Sequence, residues 1–90
     1  MVTIVETEGV LGGKPRIAGR RISVQHIAIL HERMGQSADV ISAELDIDLA
    51  AIYAALTYYY DHREAIDARI VIDAELAASV RRETASKLPR

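Results

Sequence analysis

The stretch Ala38-Asp39-Val40-Ile41-Ser42-Ala43-Glu44-Leu45-Asp46-Ile47-Asp48-Leu49-Ala50-Ala51-Ile52-Tyr53-Ala54-Ala55-Leu56-Thr57-Tyr58-Tyr59-Tyr60 decides the fold. Val40, Ile41 and Leu45 predict the buried stripe of a short helix over 38–45, with Ser37 as its N-cap and Asp39 in its first turn. Asp46-Ile47-Asp48 breaks that helix, and Asp48 is placed to cap the next one while Ile47 packs back into the core. Ile52, Leu56 and Tyr59 fall three or four residues apart and predict a helix over 49–60, with Ala51 and Ala55 permitting close approach of a neighbouring backbone. Tyr58, Tyr59 and Tyr60 cannot all point one way on a helix, so one ring is expected inside and another at the surface. Short helix, tight turn and second helix make helix-turn-helix spacing.

The flanks complete a mostly α domain. Val24, Ile27, Ala28, Leu30 and Met34 predict a helix over 24–34, started by Ser23 and stopped by Gly35. Before it, β-prone residues Val2 to Val5, then Gly9, Gly12, Gly13, Pro15 and Gly19, predict a short β element within 2–23. After it, Ala65, Ile66, Ile70, Ala74, Ala77 and Val80 suit a C-terminal helix over 62–82, with 84–90 expected as a frayed tail. One domain, about residues 1–80, is all that 90 residues accommodate. Its core contains no Phe or Trp, and such a thin core is a physical reason to expect a homodimer or other partner, paired through strands or apolar helix faces.

Absence of cysteine excludes a disulfide framework, a thiolate metal site and a cysteine nucleophile, and fits the cytoplasm. No apolar run has the length of a membrane span. His26 and His31 diverge on a helix and His62 lies elsewhere, so no metal or other cofactor is expected. The carboxylates show no paired spacing for acid–base work, and a binding protein rather than an enzyme is expected.

The net charge of −2 is unevenly distributed. Residues 1–33 hold five basic and three acidic side chains, residues 34–80 two and nine, and residues 81–90 four and one. Lys14, Arg16, Arg20 and Arg21 form a basic cluster that can face the phosphates of operator DNA; the alternative is that these residues shape a strand pair, with Arg21 paired to Glu32 or Asp39. From Leu49 to Tyr60 there is no Arg, Lys, Asn or Gln, so a recognition helix here offers a DNA groove little beyond Tyr53 and Thr57. In the last segment Ile70, Leu76, Val80, Arg81 and Arg82 form a candidate partner-binding face, extended by Lys87 and Arg90; the alternative is an amphipathic helix whose end charges suit its dipole.

At Gly13-Lys14-Pro15-Arg16-Ile17-Ala18-Gly19-Arg20-Arg21-Ile22-Ser23-Val24 the chain resembles the small prokaryotic proteins of domain-of-unknown-function family 433, which open with a G-K-P-x-I-x-G-x-R-I-x-V signature. The likeness continues through Met34-Gly35-Gln36-Ser37, the short helix ending at Leu45 and the segment from Ile52 to Tyr59. It departs from the usual pattern at Arg20, where a small hydroxyl residue is common, and at Asp46, where proline or glycine is often found. The resemblance implies a homeodomain-like helix-turn-helix fold and an antitoxin-like role beside a PIN-like ribonuclease toxin; repression of its own operon through the helix-turn-helix and the basic cluster is a further expectation. A DNA-binding regulator without a toxin, or an adaptor that binds only protein, are the alternatives.

Overall fold

The computed structural model describes residues 3–87, the side chains at 86 and 87 excepted. It contains a two-stranded antiparallel sheet, β1 (Ile4–Val5) and β2 (Arg16–Ile17), followed by helices α1 (Val24–Ala28), α2 (Ala38–Leu45), α3 (Leu49–Asp61) and α4 (Arg63–Lys87). Ile4 pairs with Ile17 and Val5 with Arg16. Val2 of the expected first strand lies outside the described residues. Beyond β2 the chain reverses in a β-turn in which the Arg20 amide donates to the Ile17 carbonyl, and Gly19 supplies the positive φ of 79° that the turn requires.

Ser23 and Ser37 are both N-caps. Their hydroxyl oxygens accept from the His26 and Val40 amides at 2.9 and 3.2 Å, and each cap is worth about 1 kcal/mol. The expected helix over 24–34 is continuous but not uniform: α1 passes into a π-helical turn, Ile29–Arg33, in which the Met34 amide donates to the Ile29 carbonyl. Gly35 ends it at φ 70°, and the Gln36 amide reaches back to the Leu30 carbonyl. That bond is one residue longer than the usual Schellman closure, as the wider turn requires.

The turn between α2 and α3 is fastened by Ser42. Its carbonyl accepts from the Asp46 and Ile47 amides, and its hydroxyl donates to the Ile47 carbonyl. Asp46 takes the left-handed conformation, φ 52° and ψ 53°, that glycine adopts most readily and aspartate tolerates. Asp48, at φ −56° and ψ 140°, stands outside both helices, and its carbonyl accepts from the Ala51 and Ile52 amides of α3. It occupies the N-cap position without a side-chain capping bond.

Ile41, Ile52 and Ile27 are completely enclosed, and Val24, Ile47, Ala51, Ala55, Leu56 and Tyr59 surround them. Ala51 and Ala55 face the core, and α3 packs against both α1 and α2. One expected core position is wrong: Val40 is 44% exposed, because the packing face of α2 runs through Ala38 and Ile41 with Leu45 partly buried. Tyr59 enters the core whereas Tyr60 remains at the surface.

α3 ends at Asp61, and His62 leaves helical geometry before α4 begins. α4 continues as helix to Lys87, into the segment expected as a tail from residue 84; residues 88–90 lie outside the described residues. Its 25 residues span about 37 Å. Ile66 and Ile70 hold its first half to the core, and beyond Asp73 none of the described α4 side chains belongs to the core cluster. The radius of gyration, 15.0 Å, exceeds the roughly 12 Å expected of a rounded domain of this length, and the extents of 51 × 28 × 24 Å record the projecting helix.

Candidate partner-binding surfaces

Folding engages three of the four N-terminal basic side chains within the chain. Lys14 pairs with Asp73 of α4 at 2.5 Å. Arg16 donates to Thr7 Oγ1 and the Arg20 carbonyl, each at 3.0 Å, and so braces the turn after β2. The Arg20 guanidinium donates to the Leu45 carbonyl at 3.2 Å and to the Asp46 carbonyl at 3.3 Å, capping the C-terminal end of α2, where a cation suits the helix dipole. Of the four, only Arg21 is exposed with no hydrogen bond or ion pair among the described residues; it pairs with neither Glu32 nor Asp39. The acceptors that engage the other three lie mostly far away in sequence and exist only after folding.

Two carboxylates organise the attachment of α4. Asp73 accepts from Lys14 and from Gln25 Nε2 at 2.8 Å and pairs with Arg69 at 3.0 Å. The hydrogen bonds from Lys14 and Gln25 hold its carboxyl below the ordinary aspartate range. Asp67 accepts from the Tyr59 hydroxyl at 2.7 Å and lies within ion-pair range of Arg33 and Arg63. Burial, reinforced by that bond to Asp67, raises the Tyr59 phenol, and a hydrogen bond to Glu32 raises that of Tyr60. The i,i+4 spacing of Arg63 with Asp67 and Arg69 with Asp73 was the available sequence signal for both carboxylates.

Two of the three histidines serve local structure. His31 Nδ1 bonds the Gln36 carbonyl, while His62 Nδ1 bonds the Tyr58 carbonyl and its ring stacks on Tyr58 at 4.0 Å. Beside His62 and Tyr58 a cleft of about 340 Å³ opens between the Gly12–Pro15 loop and α4, with Lys14 and Arg69 in its wall. Asp73 holds both cations.

On α3, Tyr53 is 54% exposed, and the exposed Thr57 donates its hydroxyl to the Tyr53 carbonyl at 2.8 Å. Leu49 shares that outer stripe. Asp39, Glu44, Asp46, Asp48 and Asp61 are all exposed around the helix-turn-helix, and none forms an ion pair among the described residues. With no Lys or Arg between residues 34 and 61, this surface is acidic with an apolar centre.

Of the expected partner-binding residues on α4, Ile70 belongs to the core, only 7% exposed, and is withdrawn from that surface. Leu76 and Val80 are 57% and 59% exposed and share one stripe of the helix with Glu83, while the exposed Arg81 and Arg82 lie to either side of that stripe. The Lys87 side chain and Arg90 lie outside the described residues.

The arrangement defines a small helix-turn-helix domain, braced by a strand pair, that extends a long C-terminal helix beyond its core. A family model described as "Protein of unknown function (DUF433)" matches residues 4–59, well over half of the chain, and the chain belongs to that family. The matched region stops before α4. No curated protein and no solved structure matches the chain.

Proposed function

We propose that this chain is an antitoxin-like binding protein, without catalytic activity of its own, that acts in the cytoplasm by docking the free half of α4 on a PIN-like ribonuclease. The observation behind this reading is that α4 continues beyond Asp73 as a helix outside the core, presenting Leu76 and Val80 with Arg81 and Arg82. Such a segment combines apolar anchors for a groove with guanidinium groups suited to carboxylates. A nuclease that collects metal ions with carboxylates offers that partner chemistry, and a guanidinium inserted there competes with the metal.

Protein docking has more support than reading of operator DNA. α3 presents no cationic or amide side chain to a groove, exposed carboxylates surround it, and Lys14, Arg16 and Arg20 are engaged within the chain. The test is a ribonuclease assay with the product of the adjacent gene. The intact chain is expected to suppress cleavage, and Arg81→Glu/Arg82→Glu to lose suppression while remaining folded. Full suppression by that variant refutes the reading.

A further inference from the structure

The cleft between the Gly12–Pro15 loop and α4 gathers polar groups whose bonding capacity the fold leaves partly unused. Lys14 gives one N–H to Asp73 and keeps two. Arg69 meets Asp73 through Nε at 3.0 Å, and its terminal nitrogens have no partner among the described residues. The Tyr58 hydroxyl makes no hydrogen bond among them either, and burial, with Glu6 nearby, raises the phenol and keeps it a donor. Between these groups the wall is apolar: Pro15 on the loop, Ala65 and Ile66 on α4, and the ring of Tyr58. That ring lies nearly parallel to the His62 imidazole, at 4.0 Å and 15°, so the two present a flat surface.

Size and charge narrow what fits. A volume of about 340 Å³ belongs to the small end of small-molecule sites and admits no folded partner. Lys14 and Arg69 against Glu6 leave the wall one positive charge, and Asp73, bonded to both cations but outside the wall, brings the sum to zero. A polyanion therefore gains little here. A singly charged anion gains the unused ammonium and guanidinium donors without bringing a second charge, and a guanidinium edge matches a carboxylate.

We propose that this cleft binds a small planar carboxylate, its charged end taken by Arg69 and Lys14 and its ring lying on Tyr58 and Ile66. Asp73 positions both cations. Lys14 belongs to the loop and Arg69 to α4, so the ligand ties the same junction that Asp73 ties. The site is separate from the far half of α4, since no residue beyond Arg69 lines the cleft.

Sodium benzoate is the probe, titrated into the isotope-labelled full chain at constant ionic strength and followed by NMR. The expected result is saturable shifts centred on Gly12, Gly13, Lys14, Tyr58 and His62, with a Kd on the order of 1 mM, ordinary for so small a ligand. Benzamide, the same ring without the charge, should bind roughly tenfold more weakly, and about 10 mM inorganic phosphate should not displace benzoate. Arg69→Gln, at a side chain 53% exposed, should remain folded and weaken binding about tenfold. Glu6→Gln, at the exposed carboxylate of the wall, should tighten it roughly twofold or more. The proposal is overturned by the absence of saturable shifts up to about 50 mM benzoate, or by shifts centred elsewhere. Equal binding of benzamide, displacement by phosphate, full affinity in folded Arg69→Gln or weaker binding in Glu6→Gln overturns it equally.

Discussion

Replacing Arg20 by alanine removes the guanidinium that closes the C-terminal end of α2, and its cost can be worked from the geometry. Both terminal nitrogens reach the Asp46 carbonyl at 3.3 Å, and one also reaches Leu45 at 3.2 Å. A hydrogen bond contributes about 0.5–1.5 kcal/mol net, and a cation at a helix C-terminus about 0.3–1 kcal/mol. These bonds lie at the exposed surface, where water replaces much of what is lost, so the whole effect should be about 1 kcal/mol. In a domain of this size that lowers the thermal midpoint by roughly 4–8 °C. Arg21→Ala, one residue away but without a partner, should change stability by less than about 0.5 kcal/mol. Arg20→Lys should lose most of what alanine loses, because one ammonium cannot span two carbonyls in the manner of a guanidinium fork. Thermal and urea unfolding followed by circular dichroism separates the three. Equal stability of Arg20→Ala and the wild type would refute the capping role; if that variant also lost affinity for a polyanion, Arg20 would return to the phosphate-binding role that its sequence neighbourhood suggests.

Other perturbations probe other parts of the structure. Because the Asp73 carboxyl is held below the 3.8 of an unperturbed aspartate, its contribution is present above that value and is lost as pH falls through the lower folded value; Asp73→Asn should cost about 1 kcal/mol at neutral pH and flatten the acid limb of the stability profile below about pH 4. Ile52→Ala, at a completely enclosed position, should cost about 2–5 kcal/mol in urea unfolding, a large share of the stability of so small a domain. Tyr59→Phe breaks a bond from a buried ring to Asp67 and should destabilise by about 1 kcal/mol, whereas Tyr60→Phe, at the surface, should change the unfolding midpoint little. Asp46→Gly relieves a left-handed aspartate and should raise stability by about 0.5 kcal/mol once the greater freedom of unfolded glycine is counted; a drop on this substitution would mean that the Asp46 side chain has a role in the turn.

Local features were the legible ones. Ser23 and Ser37 act as caps, Gly35 stops its helix, and the Asp46–Asp48 break falls where the sequence places it, because each depends on atoms within a few residues. Val40 misleads for a local reason too: on so short a helix its position next to Ile41 suggests burial, and only the approach of α3 decides which side is enclosed. The basic cluster was the least legible part. Lys14 finds Asp73 59 residues on, and Arg20 finds carbonyls 25 and 26 residues on, so positive charge adjacent in sequence becomes three separate braces in space. Ile70 reads as a partner residue because helical spacing cannot tell an apolar face that meets its own core from one that projects past it. Only the length of α4 relative to the body of the domain makes that distinction, between Asp73 and Leu76.

The π-helical turn at Ile29–Arg33 fixes the aim of two side chains. The surplus residue in that turn rotates the downstream backbone by about 100° relative to an ordinary helical path, and from there Glu32 bonds Tyr60 while Arg33 approaches Asp67. Deleting Leu30 would let the backbone close into a regular turn and leave Glu32 and Arg33 near their present aim, because the π turn is what absorbs the extra residue, but it would remove a side chain packed against the core. A regular helix at the present length would instead turn both side chains away from Tyr60 and Asp67. The residue count between Ser23 and Gly35 and the widened turn are therefore one unit: the segment meets its partners at this length only because the turn takes up the extra residue.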